Sequence, residues 1–179
     1  MNRQGFSLIE ILVAVAILGL IAGIAGVYTS GRTDTATVRD QAIQMAQEFR
    51  ASLAQAINSG DNAVFLAGSS SEGGWYAVWR QDYELEDYTP PGTRTFDIHH
   101  RLAWGTGGTV AGPMGIGSAA AHPGGPIVCD AWSRCNTGPE PVGFYLHVPG
   151  DPQARAAVTI GPSGGIRAWI WNAQDGEWR

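Results

Sequence analysis

One carboxylate sits where elementary physical chemistry makes it costly. Glu10 is the only charge in the run from Phe6 to Val27, 22 residues that are otherwise almost wholly apolar. A carboxylate within a bilayer-length apolar segment costs about 3 kcal/mol on insertion scales. Nothing basic lies inside the run, so compensation must come from elsewhere, and a partner chain is the natural source. A free α-amino group on Phe6, released by cleavage after Gly5, would be such a partner. The chemistry this carboxylate points to is ion pairing with another chain.

Other reactive residue types are sparse. Cys129 and Cys135 lie close together in a Gly/Pro-rich segment. They lack the Cys-x-x-Cys spacing of zinc and redox sites and suit a small disulfide loop in an oxidising compartment such as the periplasm. His99 and His100, read as part of a strand, would point to opposite faces and could not share one metal; His122 and His147 are isolated. Asp82, Glu84, Glu86 and Asp87 offer oxygen ligands for calcium but lack the loop glycine and spacing of an EF-hand, so a solvated loop is expected. Trp169, Trp171 and Trp178 could stack on bases or on a protein, with Arg167 and Arg179 the only cations near them; core or interface packing is the expectation. No nucleophile elbow, zinc helix or phosphate loop occurs. Neither an enzyme, nor a bound metal, nor a cofactor is expected.

These groups must be carried on elements. Phe6–Val27 as a helix would be about 33 Å long, enough to cross a bilayer core of about 30 Å. An ordinary signal peptide would have a shorter apolar stretch and a small-residue cleavage site after it. Arg3 before the run and Arg32 and Arg39 after it leave orientation undecided by basic-residue counting. Gly19, Gly23 and Gly26, then Tyr28-Thr29-Ser30-Gly31, admit either local melting or close helix packing. From Val38 the apolar residues Val38, Ala42, Met45, Ala46, Phe49, Leu53 and Ile57 fall on one helical face. Arg39, Asp40, Gln44, Gln47, Glu48 and Gln55 fall opposite. Asn58-Ser59-Gly60 is a stop signal.

Beyond it the pattern changes. Trp75 to Trp79, then Phe96, Ile98, Leu102 and Trp104 (interrupted by His99-His100), then Val142, Phe144, Leu146 and Val148, read as strands. Val158 and Ile160, the turn Gly161–Gly165, and Ile166, Ala168 and Ile170 read as a hairpin. Residues 105–125, rich in Gly, Ala and Pro, read as a long loop. The whole chain of 179 residues has 44% hydrophobic and 15% charged content, which fits a folded protein. Its net charge of −5, with Arg as the sole basic type besides His, argues against broad phosphate neutralisation of nucleic acid.

The run Gly5-Phe6-Ser7-Leu8-Ile9-Glu10, followed by an unbroken apolar stretch, resembles the signal of type IV pilins and type II secretion pseudopilins. The resemblance implies cleavage after Gly5 by a prepilin peptidase, N-methylation of Phe6, and pairing of Glu10 with a neighbouring subunit's amino terminus. With the β-rich head and the late element from Val158 to Trp169, the chain resembles the GspH/FimT group. The fold expected is α+β and pilin-like: leader 1–5, transmembrane and polymerisation helix 6–28, amphipathic second half 29–60, and a mostly antiparallel β-rich head 61–179. The function expected is that of a minor pseudopilin near the tip of a type II secretion filament, or else a minor pilin of a type IV pilus acting in pilus assembly or DNA uptake. A membrane-anchored periplasmic enzyme is the third reading. Expected partners are other pilin or pseudopilin subunits, the prepilin peptidase and an inner-membrane assembly platform. The expected location is the inner membrane, with the head in the periplasm.

Overall fold

The computed structural model describes residues 8–81, 93–108, 112–113 and 124–179, with backbone alone for residues 24–32 and 81. Helix α1 runs without a break over Leu8–Ser59, 52 residues, about 78 Å on the usual helical rise. The backbone therefore stays helical through residues 26–31, where the sequence left melting and packing both open.

The stripe expected from spacing is buried at Val38, Ala42, Met45, Ala46, Phe49 and Leu53. Its last position differs. Ala56 is fully buried, and Ile57 is 42% exposed. Steps of three and four both stay near one face of a 3.6-residue period, and the cap decides between them. Gly60 takes φ 78° and the Asp61 N–H donates to the Ala56 carbonyl at 3.0 Å, the long bond of a Schellman ending. The chain thus folds back over Ala56, whose methyl leaves room for the next strand.

Nine strands follow: β1 Asn62–Ser70, β2 Gly73–Gln81, β3 Arg94–Asp97, β4 Ala103–Trp104, β5 Ile127–Cys129, β6 Val142–Val148, β7 Asp151–Ile160, β8 Ile166–Asn172 and β9 Glu177–Trp178. They form two antiparallel sheets, ordered β3-β2-β1-β5 and β4-β6-β7-β8-β9. The amphipathic half of α1 packs on β7, β8 and β6 of one sheet and on β1 and β2 of the other. An α+β fold with the helix laid on a mostly antiparallel head is thus the observed architecture. Phe49 is its centre: its ring lies 4.7 Å from Phe65, 5.2 Å from Phe144 and 5.8 Å from Tyr76. These pairs join helix to both sheets. Burial, reinforced by the Glu48 carboxylate, pushes the Tyr76 phenol well above its ordinary range.

The strand expected through Phe96, Ile98, Leu102 and Trp104 is two strands in different sheets. Residues 98–102 turn between β3 and β4, and the Leu102 N–H donates to the His99 carbonyl at 2.8 Å. The turn is held by the helix: the His99 N–H donates to Gln41 Oε1 at 3.0 Å. The β7–β8 hairpin forms where expected, with Ile160 opposite Ile166.

Candidate assembly site

Among the described residues, the side chains from Leu8 to Gly23 at the start of α1 are exposed. Its apolar side chains, from Leu8 to Ile21, are 53–77% exposed. Such a surface is far larger than the apolar patches a soluble monomer leaves uncovered, and it demands lipid or protein around it. Glu10 lies in the first turn of this stem and is exposed. A carboxylate there is favoured by the helix dipole and can reach another chain. Among the described residues no helix is long and apolar enough to cross a membrane; side chains on the stem are described from Leu8 to Gly23. Gly5 and Phe6, the expected processing residues, lie outside the described residues.

Polar contacts tie the second half of α1 to the head. Asp34, almost wholly buried, pairs with Arg101 at 2.7 Å. Glu48 pairs with Arg94 at 2.5 Å. On the other side, Arg50 Nη2 and Nε donate to the Ile166 carbonyl at 2.8 and 3.2 Å. These contacts hold the second half of α1, from Asp34 to Arg50, against the head. These pairs were missed in sequence because each joins residues far apart in the chain.

The cysteines meet as the sequence suggested: Cys129 and Cys135 form a disulfide with Cα atoms 4.0 Å apart. The loop it closes is internally bonded. Asp130 Oδ1 accepts the N–H groups of Arg134 at 2.8 Å and Trp132 at 2.9 Å, and Oδ2 pairs with the Arg134 guanidinium at 2.7 Å. The Arg134 N–H above all, with its side chain and the Trp132 N–H, holds the Asp130 carboxyl below the usual carboxylate range. Cys135 N–H donates to the Pro162 carbonyl at 2.9 Å, tying the loop to the β7–β8 turn.

The histidines are not placed as a strand would place them. His99 and His100 lie in the turn after β3 with rings stacked 4.3 Å apart. The reason is that the tertiary bond to Gln41 ends β3 before them. His147 Nδ1 lies 3.1 Å from the Gly105 carbonyl. His122 and the acids Asp82, Glu84, Glu86 and Asp87 lie outside the described residues. Of the predicted loop 105–125, residues 105–108 form bends and most of the remainder lies outside the description. Among the described residues no group of three or more His, Cys, Asp or Glu is placed to hold a metal. The tail tryptophans pack rather than project. Trp169 donates to Thr159 Oγ1 at 2.9 Å and carries the Arg167 guanidinium over its ring. Trp171 and Trp178 meet edge to face at 5.4 Å.

Residues 1–26 match the family model described as the prokaryotic N-terminal methylation motif. The chain therefore carries the signature of prepilin-type proteins, the type IV pilins and pseudopilins. That motif implies processing by a prepilin peptidase and assembly with other pilin subunits. No curated protein and no solved structure matches the chain.

Proposed function

We propose that the chain is a minor pseudopilin of a type II secretion system, anchored in the inner membrane by residues 6–28 with its head in the periplasm. It is a structural subunit with no catalytic role. The observation that carries this reading is the uncovered apolar stem bearing Glu10 in its first turn, continuous with the helix that packs on a β head containing a disulfide. An apolar helix with one acid is suited first to wait in lipid and then to pack among like helices. There the Glu10 carboxylate meets the amino group that cleavage before Phe6 creates. The disulfide agrees with a head outside the cytoplasm. Placement near the filament tip and support for the export of folded proteins follow from the same reading.

Deletion of the gene tests it. Loss of protein secretion with normal twitching supports the pseudopilin. Loss of twitching or of transformation with normal secretion replaces it with a minor pilin of a type IV pilus. Hydrolytic turnover by the purified full chain in detergent, abolished by a point substitution in the head, would replace both with an anchored enzyme.

A further inference from the structure

We propose that the cleft between α1 and the end of the chain holds the headgroup of a zwitterionic aminophospholipid while the subunit is anchored in the membrane. The cleft, about 350 Å³, is lined by Thr35, Gln153, Ile170, Trp171, Gln174 and Arg179 among others. Its volume lies in the range of about 300–1,000 Å³ typical of clefts that enclose a ligand. This inference rests on the membrane anchor proposed above for residues 6–28.

The order of the chain sets the height of the cleft above the bilayer. Gly164, in the β7–β8 turn, lies against Leu53, whose side chain is 3.1 Å from where a Cβ would stand. That turn therefore sits near the C-terminal end of α1, and the other ends of β7 and β8 point back toward the stem. There Gln153, near the start of β7, and Asn172 to Gln174, at the end of β8, meet α1 at Thr35. Thr35 stands seven residues beyond residue 28, about 10 Å along a helix. The headgroup layer extends about 5–8 Å beyond each face of the hydrocarbon core. The cleft thus opens within a side chain's length of the headgroups. Tilting the helix only brings it nearer, since the helical rise sets the greatest separation.

The groups at the cleft carry the two charges that such a headgroup needs. Arg179, in its wall, pairs with Asp175 at its rim, and the two side chains are 65% and 42% exposed. An exposed pair of this kind is held weakly. Both groups can therefore turn to a ligand, the guanidinium to a phosphate and the carboxylate to an ammonium. Their positions are fixed by the backbone around them. The Arg179 N–H donates to the Ile170 carbonyl at 2.9 Å, and the Ile170 N–H donates to the Arg179 carbonyl at 2.7 Å. Asn172 Nδ2 donates to Asp175 Oδ2 at 2.7 Å, and the Gly176 N–H donates to the Asn172 carbonyl at 2.8 Å. Trp171 adds an amphipathic ring of the kind that settles at membrane–water interfaces. A purely anionic headgroup would set its charge against Asp175 on a chain already at −5. A choline headgroup has no N–H to give the carboxylate. A phosphate joined to a primary ammonium satisfies both members of the pair.

The test places a photo-crosslinking benzoylphenylalanine at Gln174 in the full chain, with a second variant carrying it at Leu18 in the stem. Both are inserted in vesicles of equal phosphatidylethanolamine and phosphatidylcholine, and adducts are read by intact mass. Leu18 should label both lipids alike, whereas Gln174 should label phosphatidylethanolamine in preference. Asp175→Asn with Arg179→Gln should lower the Gln174 adduct about tenfold or more, as for loss of one charge-assisted hydrogen bond, and leave the Leu18 adducts unchanged. Leu18 adducts without a lipid adduct at Gln174, or Gln174 adducts that do not distinguish the two lipids or that persist in the double variant, overturn the headgroup site while leaving the anchor intact. Absence of lipid adducts at Leu18 overturns the anchor and the site with it.

Discussion

Truncating Phe49 to alanine removes the ring that joins α1 to both sheets, and the structure sets the size of the effect. Phe49 has no exposed surface, and three aromatic rings lie within 5.8 Å of its centroid. Burial of a phenyl ring and the cavity left behind together cost about 3–5 kcal/mol. Its neighbours belong to β1, β2 and β6, so no single element can move to fill the space, which favours the upper part of that range. Ile57, on the same helix and expected buried from spacing alone, is the control: at 42% exposure, Ile57→Ala should cost within about 0.5 kcal/mol. The assay is urea unfolding of the full chain in detergent, followed by tryptophan fluorescence, with the midpoint shift read at constant slope. Equal losses for the two variants, or a loss below about 1 kcal/mol for Phe49→Ala, would refute the placement of the stripe and of its cap at Ala56.

Gly5→Ala should leave uncut precursor in the membrane, read as a heavier band on a gel; normal processing of that variant counts against the cleavage site. Glu10→Ala should still insert but fail to join the filament, measured as its loss from sheared or crosslinked assemblies. Cys129→Ser should lower stability by about 2 kcal/mol, as expected for opening a short loop, and non-reducing mass analysis of the unaltered chain should show two hydrogens missing. Asp130 has a carboxyl held below its ordinary value of 3.8. The stabilisation from the Asp130 carboxylate should therefore be complete above that pH and disappear as the pH falls through the lower folded value. An NMR titration of the Asp130 carboxyl showing an ordinary or raised midpoint would contradict the loop geometry.

Local periodicity was enough to read the stripe from Val38 to Leu53, strand β6 and the β7–β8 hairpin, because each buries one face and shows it in sequence. Strand β1 was not legible for the opposite reason. Ala63, Val64 and Phe65 are buried consecutively, since Ala63 and Phe65 join the main core while Val64 joins a second cluster with Ala77 and Trp79 on the other face. A strand covered on both sides loses its alternation. The division between β3 and β4 depends on Gln41, fifty-eight residues before His99, which no local window contains. Of the candidate sites, Glu10 and the cysteine pair stood out by their surroundings or spacing. The cleft beside Trp171 did not: Thr35 and Trp171 stand far apart in the chain and line one cleft only once β8 packs on α1.

The proposed assembly depends on a new amine at Phe6 opposite the Glu10 of another subunit, and the mature terminus reports on it directly. Intact mass and N-terminal sequencing of the chain isolated from membranes should give a polypeptide that begins at Phe6 with one added methyl group. A mature chain that still begins at Met1 would contradict it.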